Sequence, residues 1–537
     1  MKMVKKQGKA KDGRGEFGFC DPMYRNIRDN YWNNDGYNKK PRVWYIDIET
    51  RVGRSFKHEY HPSDTLKVRS TSGDEYVEKI NVLRGLNDVT NIETFDLKEN
   101  KWIPLQKSRA FIRNVGFPTP QKSLEEVSLI QIYDSVEDVM IVLGLRDWVH
   151  QEEYEFDYDV RYIKCNDEMS LFHTYLTVFK SLDPLIIYAW NGKNFDFPYI
   201  FNRMKRLGLD TSLLSNYGNT SLKESEYQGR TEFKFMANGH FYLDLMDVYK
   251  KFTFKPRPNY TLDTIAEIEL KKHKVPHTEY AAFDDFYAGK YLIPEKPTET
   301  QKQSKIYQAA VNGDWNEVRE RSHSDFVYYG CIDAHLIKEL DSKLNYTQLL
   351  VMVSEKMGVK IDDAMQTVKP WAHFISNHAM LSNKVMPIDE EHEPPSVVGG
   401  YVRQPERGKH RWVISADVNS MYPLLGMVGA NMSPETFIPR HKLPSELRDI
   451  VMAFFDNQDV AERLELDDHI WEQTVELLQE HNISLGVNGA AFDRTEVGMV
   501  PSMILDIYAN RKKAKKEQFK HEKGKIMIQE ILRARNG

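Results

Sequence analysis

Apolar residues fall in short continuous runs along the first half of this chain. Val43–Thr50 reads VWYIDIET, an apolar run closing on acids, and its length and composition predict a buried strand. Val127–Ser135 (VSLIQIYDS) and Asp138–Leu145 (DVMIVLGL) predict further strands of the same sheet, as does PLIIYAWN. MSLFHTYLTVFKSL spaces its apolar residues helically, and FPYIFNRMKRLG predicts a helix beyond the loop that follows PLIIYAWN. Residues 219–243 alternate like a β-hairpin, and 345–392 read mostly as helices. GGYVRQPERGKHRWVISADVNSMYP predicts two strands around a basic turn, and Ser502–Arg535 a long helix. Strands alternating with helices indicate an α/β domain, its first strands close enough in sequence to form a mixed meander. Residues 51–115 are polar and mixed, an insertion with short strands such as DEYVEKINVL. There is no internal repeat or low-complexity block.

With 537 residues the chain has room for three or four domains. Hydrophobic residues at 41 % and charged residues at 28 % are ordinary for a soluble protein. No stretch approaches the ~20 apolar residues of a membrane span. The basic start, MKMVKKQGKAKDGRGEFG, lacks the apolar core of a secretory signal and reads as a flexible tail. A net charge of −6 says nothing about nucleic acid, but positive charge gathers between Arg511 and Lys525. Cys20, Cys165 and Cys331 lie far apart, which suits a reducing cytoplasm and offers no cysteine zinc site.

Three groups of residues carry candidate chemistry. Asp47 and Glu49, at i and i+2 on a strand, point to one face and together suit a metal ion. Alone, such a pair is more often a solvated strand end, but the flanking VWYI argues for burial. NGKNFDFPYI sets Asn191, Phe195 and Asp196 in the loop after LIIYAW, where α/β sheets place ligand-binding loops. Taken singly, Asp196 reads as a helix N-cap. YYGCIDAHLIKEL puts Tyr329 and Asp333 on one helix face, a pair that is also usually structural on its own.

The three groups occur in an order that resembles the three exonuclease motifs of family B DNA polymerases and of the wider DEDDy nucleases. The resemblance implies that Asp47, Glu49, Asp196 and Asp333 hold two Mg²⁺ or Mn²⁺ ions and that Tyr329 orients the attacking water. Oxygen-only ligands suit those ions, and two of them roughly 3.5–4 Å apart serve both ends of an in-line displacement.

Further along, SADVNSMYPLL places Asp417 at an expected strand end, ahead of Ser420, Met421 and Tyr422. This resembles motif A of the same polymerases, with Met421 where Leu is usual. NMSPETF and GMVPSMILDIYANRKKAKKE resemble matching stretches in polymerases of T-even-type phages. By that resemblance Asp417 and the Val418 carbonyl bind the polymerase metals, two per active site. Amides of Ser420 to Tyr422 receive the triphosphate, and Tyr422 excludes a ribose 2′-OH. Arg511 and Lys515, i and i+4 on a helix, meet the dNTP phosphates. No segment resembles the second fingers motif or the Asp-Thr-Asp-Ser of motif C, so this chain alone is expected not to polymerise DNA.

The implied fold is α/β and α+β multidomain. A short segment covers 1–40, and a ribonuclease-H-like 3′→5′ exonuclease domain covers 41–344 with the insertion at 51–115. A helical connection follows at 345–395, the first part of a palm at 396–440 and partial fingers at 441–537. The leading expectation is the N-terminal subunit of a split phage replicative polymerase, acting in the cytoplasm of an infected bacterium. Expected partners are primer-template and single-stranded DNA, dNTPs, a C-terminal subunit carrying motifs B and C, and a sliding clamp engaged through the complex. The DNA would be held mostly by its phosphates. The 219–243 hairpin and Phe195 would help to part strands and stack bases. Alternatives are a stand-alone exonuclease with a relic palm, a non-catalytic DNA-binding or assembly factor, and a disrupted reading frame.

Overall fold

The computed structural model describes residues 22–30, 32, 40–51, 65–70, 75–79, 92–96, 101–104, 118–151, 153–227, 230–277, 280, 283–294, 296–382, 403–418, 420–454, 468–486 and 488–536. They fall into two compact units: Asp29–Pro370, and a second that joins the chain through Arg28 to Trp371–Gly537.

The first unit is organised by strand β1, Val43–Thr50. Strands β2 to β5 (Thr65–Ser70, Glu75–Lys79, Ile92–Asp96, Lys101–Pro104) form a separate antiparallel sheet in the order β3-β2-β4-β5. The predicted insertion thus carries a small sheet, with DEYVEKINVL contributing one of its strands. The main sheet continues with β6 (Val127–Asp134), β7 (Val139–Gly144), β8 (Asp159–Lys164) and β9 (Ile186–Ala189). A hairpin of β10 (Thr220–Tyr227) and β11 (Arg230–Ala237) intervenes before β12 (Phe241–Asp244). The last part of the predicted hairpin region therefore belongs to the main sheet, which runs β12-β9-β1-β6-β7-β8.

The pleat of β1 divides its side chains between two layers. Trp44, Ile46 and Ile48 enter an apolar core with Leu171, Phe172, Tyr175 and Phe179 of helix Glu168–Leu182 and with Phe197, Tyr199 and Ile200 of helix Asp196–Arg206. Arg203 locks this layer: its guanidinium grips Glu168 through two hydrogen bonds of 2.8 and 2.6 Å, with both side chains nearly buried. Glu168 also accepts the Val127 N–H at 2.7 Å, so one carboxylate joins both helices to the head of β6. Tyr45, Asp47 and Glu49 alternate to the other face, which is covered by the 30-residue helix Trp315–Leu344. The Tyr45 hydroxyl donates to Asp341 of that helix at 2.6 Å.

In the second unit, β13 (Phe437–Ile438), β14 (Ile483–Leu485) and β15 (Ala491–Asp493) form a small sheet. It shares a modest core with Leu443, Leu447 and Val451. NMSPETF prepares the start of the last helix, Met499–Asn536. Asn431 donates to the Asp493 and Glu496 carbonyls and accepts the Gly498 N–H, while Glu435 accepts the Met499 N–H at 2.6 Å. Gly498 lies so close to this turn that an added Cβ would sit 2.6 Å from Ser433 Cβ.

One expectation fails. The predicted strand leading into Asp417 is not formed: residues 403–418 carry no strand. Trp412, Val413 and Ile414 are 97 %, 77 % and 92 % exposed. An apolar run becomes a strand only when a neighbour takes its backbone hydrogen bonds and covers a face, and no described strand lies beside this one.

Candidate active site

Strands β9 and β1 pair in parallel, Val43 beside Ile186 and Tyr45 beside Tyr188, so their carboxyl ends open on the same edge. Asp47 and Glu49 stand beyond that pairing on β1. Asp196 begins the helix that follows β9, and its Oδ1 accepts the Ile48 N–H at 3.3 Å. This bond fastens the second motif to the strand of the first. The loop between β9 and the helix is held from the next strand: Asp244, ending β12, accepts the Asn191 and Lys193 N–H groups at 3.0 and 3.4 Å. Asn191 itself adopts φ 62°, a left-handed turn that asparagine tolerates, and its side chain accepts from Asn194. Phe195 is half-buried, its ring 5.4 Å from Tyr199.

The third motif arrives on the long helix. Asp333, Asp47 and Glu49 bring carboxylate oxygens within 4.8 Å of one another. Tyr329, one turn earlier, is buried beside them, and burial and then the Asp333 charge push its phenol pKa up. The helix reaches the sheet because residue 330 is glycine: an added Cβ there would lie 1.8 Å from the Gln131 amide nitrogen. Gln131 is the register partner of Asp47 on β6.

Charge in this cluster is heavily one-signed. Burial first, and then neighbouring acids, hold Asp47 and Glu49 well above the ordinary carboxylate range. Burial likewise pushes Asp196 up to about 7. Asp333 is raised by burial and relieved by Lys274, whose Nζ lies 2.6 Å from its Oδ2. Burial pulls the Lys274 pKa down, but the charges of Asp333, Asp47 and Glu49 outweigh it and hold the ammonium protonated. Sequence reading passed over Lys274 because nothing in KKHKVPH marks one lysine among its neighbours. Asp244 was passed over as well, being one acid in YLDLMDVYKK.

The cluster fits a divalent cation. Asp333 Oδ1 is buried with no hydrogen-bond partner, its other oxygen already takes a positive group, and the donor set is all oxygen. Such donors suit Mg²⁺ or Mn²⁺.

The polymerase-like residues are arranged differently. Asp417 is exposed, Val418 and Met421 are half-exposed to solvent, and Tyr422 is 75 % exposed at the head of the helical turn Tyr422–Gly429. Ser420 turns the chain with φ 53°. Arg511 and Lys515 lie on the solvent face of the last helix, and no hydrogen bond or ion pair joins them to Asp417 among the described residues. The structure gathers Asp47, Glu49, Asp196, Tyr329 and Asp333 into one buried site, whereas Asp417, Tyr422, Arg511 and Lys515 are exposed.

The mixed α/β sheet with an acidic cluster at its edge is the ribonuclease-H-like arrangement, and residues 110–265 match the family "DNA polymerase family B, exonuclease domain". That match includes Asp196; the fold brings Asp47, Glu49, Tyr329 and Asp333 to it from either side. The chain thus carries a family B polymerase exonuclease region similar to those of T-even phages. It is 25 % identical over 439 residues to the DNA-directed DNA polymerase of Escherichia phage RB69, covering 78 % of this chain and 42 % of that protein. It is 24 % identical over 447 residues to that of Enterobacteria phage T4, with the same coverages. A DNA polymerase of Pyrococcus horikoshii is 25 % identical over 287 residues, 52 % of this chain and 20 % of its own. The chain therefore spans less than half the length of these relatives. No described helix is long and apolar enough to cross a membrane.

Proposed function

We propose that this chain carries the 3′→5′ proofreading exonuclease of a phage replicative DNA polymerase, together with part of its palm and fingers. The observation that carries this reading is the convergence of Asp47, Glu49, Asp196, Asp333 and Tyr329 on one buried site at the carboxyl edge of the sheet. In this reading the four carboxylates hold two Mg²⁺ or Mn²⁺ ions, which supply Lewis acidity to the scissile phosphate and the leaving 3′ oxygen. The Tyr329 hydroxyl, protonated at neutral pH and buried beside the acids, orients the attacking water. Lys274 pairs with Asp333 in the metal-free site and would be a positive group beside any phosphate bound there. Asp244 and Asn191 hold the loop that presents Asp196 and Phe195, the latter stacking on a terminal base. The tip of the 219–243 hairpin, read as a strand-parting element, lies at residues 228–229, outside the described residues.

Asp417, Val418, Ser420, Met421 and Tyr422 form motif A in this reading, and Arg511 and Lys515 receive dNTP phosphates. Synthesis then requires the motif B and C groups, which a C-terminal polypeptide supplies; that partner brings the sliding clamp, in an infected bacterial cell. In this reading the end of the last helix, with Ile526, Ile528, Ile531 and Leu532, packs on that partner; those side chains lie outside the described residues.

The test is degradation and extension of a 3′-labelled primer-template by the purified chain in Mg²⁺, with and without dNTPs, beside an Asp196→Ala, Asp333→Ala double variant. Degradation that disappears in the variant is the expected result. Degradation that persists there removes the carboxylate assignment, and extension by the chain alone removes the need for a partner.

A further inference from the structure

A second group of metal-ligating side chains lies on the same long helix. His335 and Glu339 are i and i+4, one above the other on a single face. Asp157, in the segment leading into β8, approaches them, with its Oδ1 3.9 Å from His335 Nε2. One ligand atom from each of the three lies within 4.8 Å of the others. His335 is two residues beyond Asp333, about 200° around the helix, so the group is turned away from the exonuclease carboxylates.

His335 is the informative member. The residue is only 5 % exposed, yet its Nε2 has no hydrogen-bond partner. A buried ring nitrogen of this kind is normally satisfied, because leaving it bare forfeits the hydrogen bond that water would give it. The ring is fixed by aromatic neighbours, with Tyr158 at 4.3 Å and Tyr133 at 5.3 Å between centroids, so it does not swing to find a partner. Its free nitrogen is directed to the carboxylate of Asp157, while Glu339 stands one turn along.

We propose that Asp157, His335 and Glu339 form a second cation site, separate from the exonuclease centre, for a transition-metal ion such as Zn²⁺. One imidazole and two carboxylates are a mixed N/O donor set, which zinc accepts with water as a fourth ligand and which Mg²⁺ does not favour. Metal–ligand bonds of about 2.0–2.2 Å set tetrahedral ligand atoms roughly 3.4 Å apart, so the three groups must draw together by up to about 1.4 Å. Asp157 has the freedom to do this, its side chain being 74 % exposed. Glu339 now bonds Lys272 at 2.7 and 2.8 Å. That lysine is half-exposed, so the metal would displace it into solvent at little cost. A bound ion would fasten the segment before β8 to the helix that carries Tyr329 and Asp333, a structural role rather than a catalytic one.

The experiment is equilibrium dialysis of Zn²⁺ against the full chain carrying Asp47→Ala and Asp196→Ala, which cripples binding at the exonuclease centre. About one equivalent should be retained, and Co²⁺ in its place should give the visible absorption of a low-symmetry N/O site. Adding Asp157→Asn, an exposed position where folding is not at stake, should weaken retention at least about tenfold, and His335→Gln should do the same. Circular dichroism checks that the His335 variant is folded. The proposal is overturned if the parent holds no Zn²⁺, or if Asp157→Asn holds it as tightly as the parent.

Discussion

The two halves of this molecule treat their carboxylates in opposite ways. In the first unit Glu49, Asp196 and Asp333 are buried, each within reach of an N–H, an ammonium or another acid that the same chain supplies. In the second, Asp417 and Tyr422 lie in solvent, next to an apolar run with no strand beside it. A site takes shape where the chain provides both walls. Asp47 and Glu49 have a helix across from them, whereas Asp417 is exposed.

The sharpest way to break this contrast is at the exonuclease acids. Asp196→Ala or Asp333→Ala should lower 3′ degradation on the order of 10³-fold, because each removes a charged group from a water-poor site. Asp417→Ala and Tyr422→Ala should leave degradation within about twofold, since both belong to the other unit and neither is one of the clustered acids. A loss of nuclease activity in Asp417→Ala would mean that the two halves do not work separately.

Next comes stability. Arg203→Ala strands Glu168 in the core and should cost about 3–5 kcal/mol in denaturant unfolding of the first unit. Arg511→Ala, on an exposed helix face, should change stability by no more than about 0.5 kcal/mol. Equal effects would show that burial is not what separates the halves.

A smaller effect is expected from pH. Asp196 has its folded pKa raised to about 7, so the folded state binds the extra proton. Its contribution is present below the unfolded value near 4 and is lost as pH rises through 7. In chelator the melting temperature of the first unit should therefore fall between pH 5 and pH 8, by roughly 5 °C. Mn²⁺ should restore it at pH 8, and Asp196→Asn should flatten the profile. A metal-free melting temperature that climbs over that interval would contradict the charge balance described for the site.

The smallest change is at Lys274. Lys274→Met should destabilise the metal-free protein by about 1–2 kcal/mol, since Asp333 loses its counter-charge. Saturating Mn²⁺ should shrink that difference; calorimetry with and without the ion reads it. A penalty that metal leaves unchanged would make the lysine an ordinary ion-pair partner.

Much of the first unit could be read from the chain because its signals are local. VWYIDIET, VSLIQIYDS and the helix 168–182 declare their period within a few residues, and the acids sit at fixed offsets on them. What escaped notice depends on contacts between distant segments. Lys274 is one lysine among several until the fold sets its ammonium on Asp333, and Asp244 gains its role only by pairing β12 with β9. The small sheet of residues 65–104 was only partly visible, its strands being short and polar. WVISAD was misread for the converse reason. Its composition favours a strand, but a strand needs a neighbour, and residues 403–418 have none beside them among the described residues.

Gly330 leaves the last consequence. The helix carrying Tyr329 and Asp333 sits as deep as it does because one position has no Cβ, and a single methyl there meets the Gln131 amide. An alanine at this point would change no charge and no hydrogen-bonding group of the site. It must displace the buried Gln131 side chain, and it acts as a shim under the acids across from it wherever that side chain holds its place. Misplacement by 1 Å is enough to cost about 10²-fold in rate. A loss of nuclease activity in such a variant would look like lost chemistry although every chemical group is still present, and the fault would lie in a tolerance rather than in a reagent.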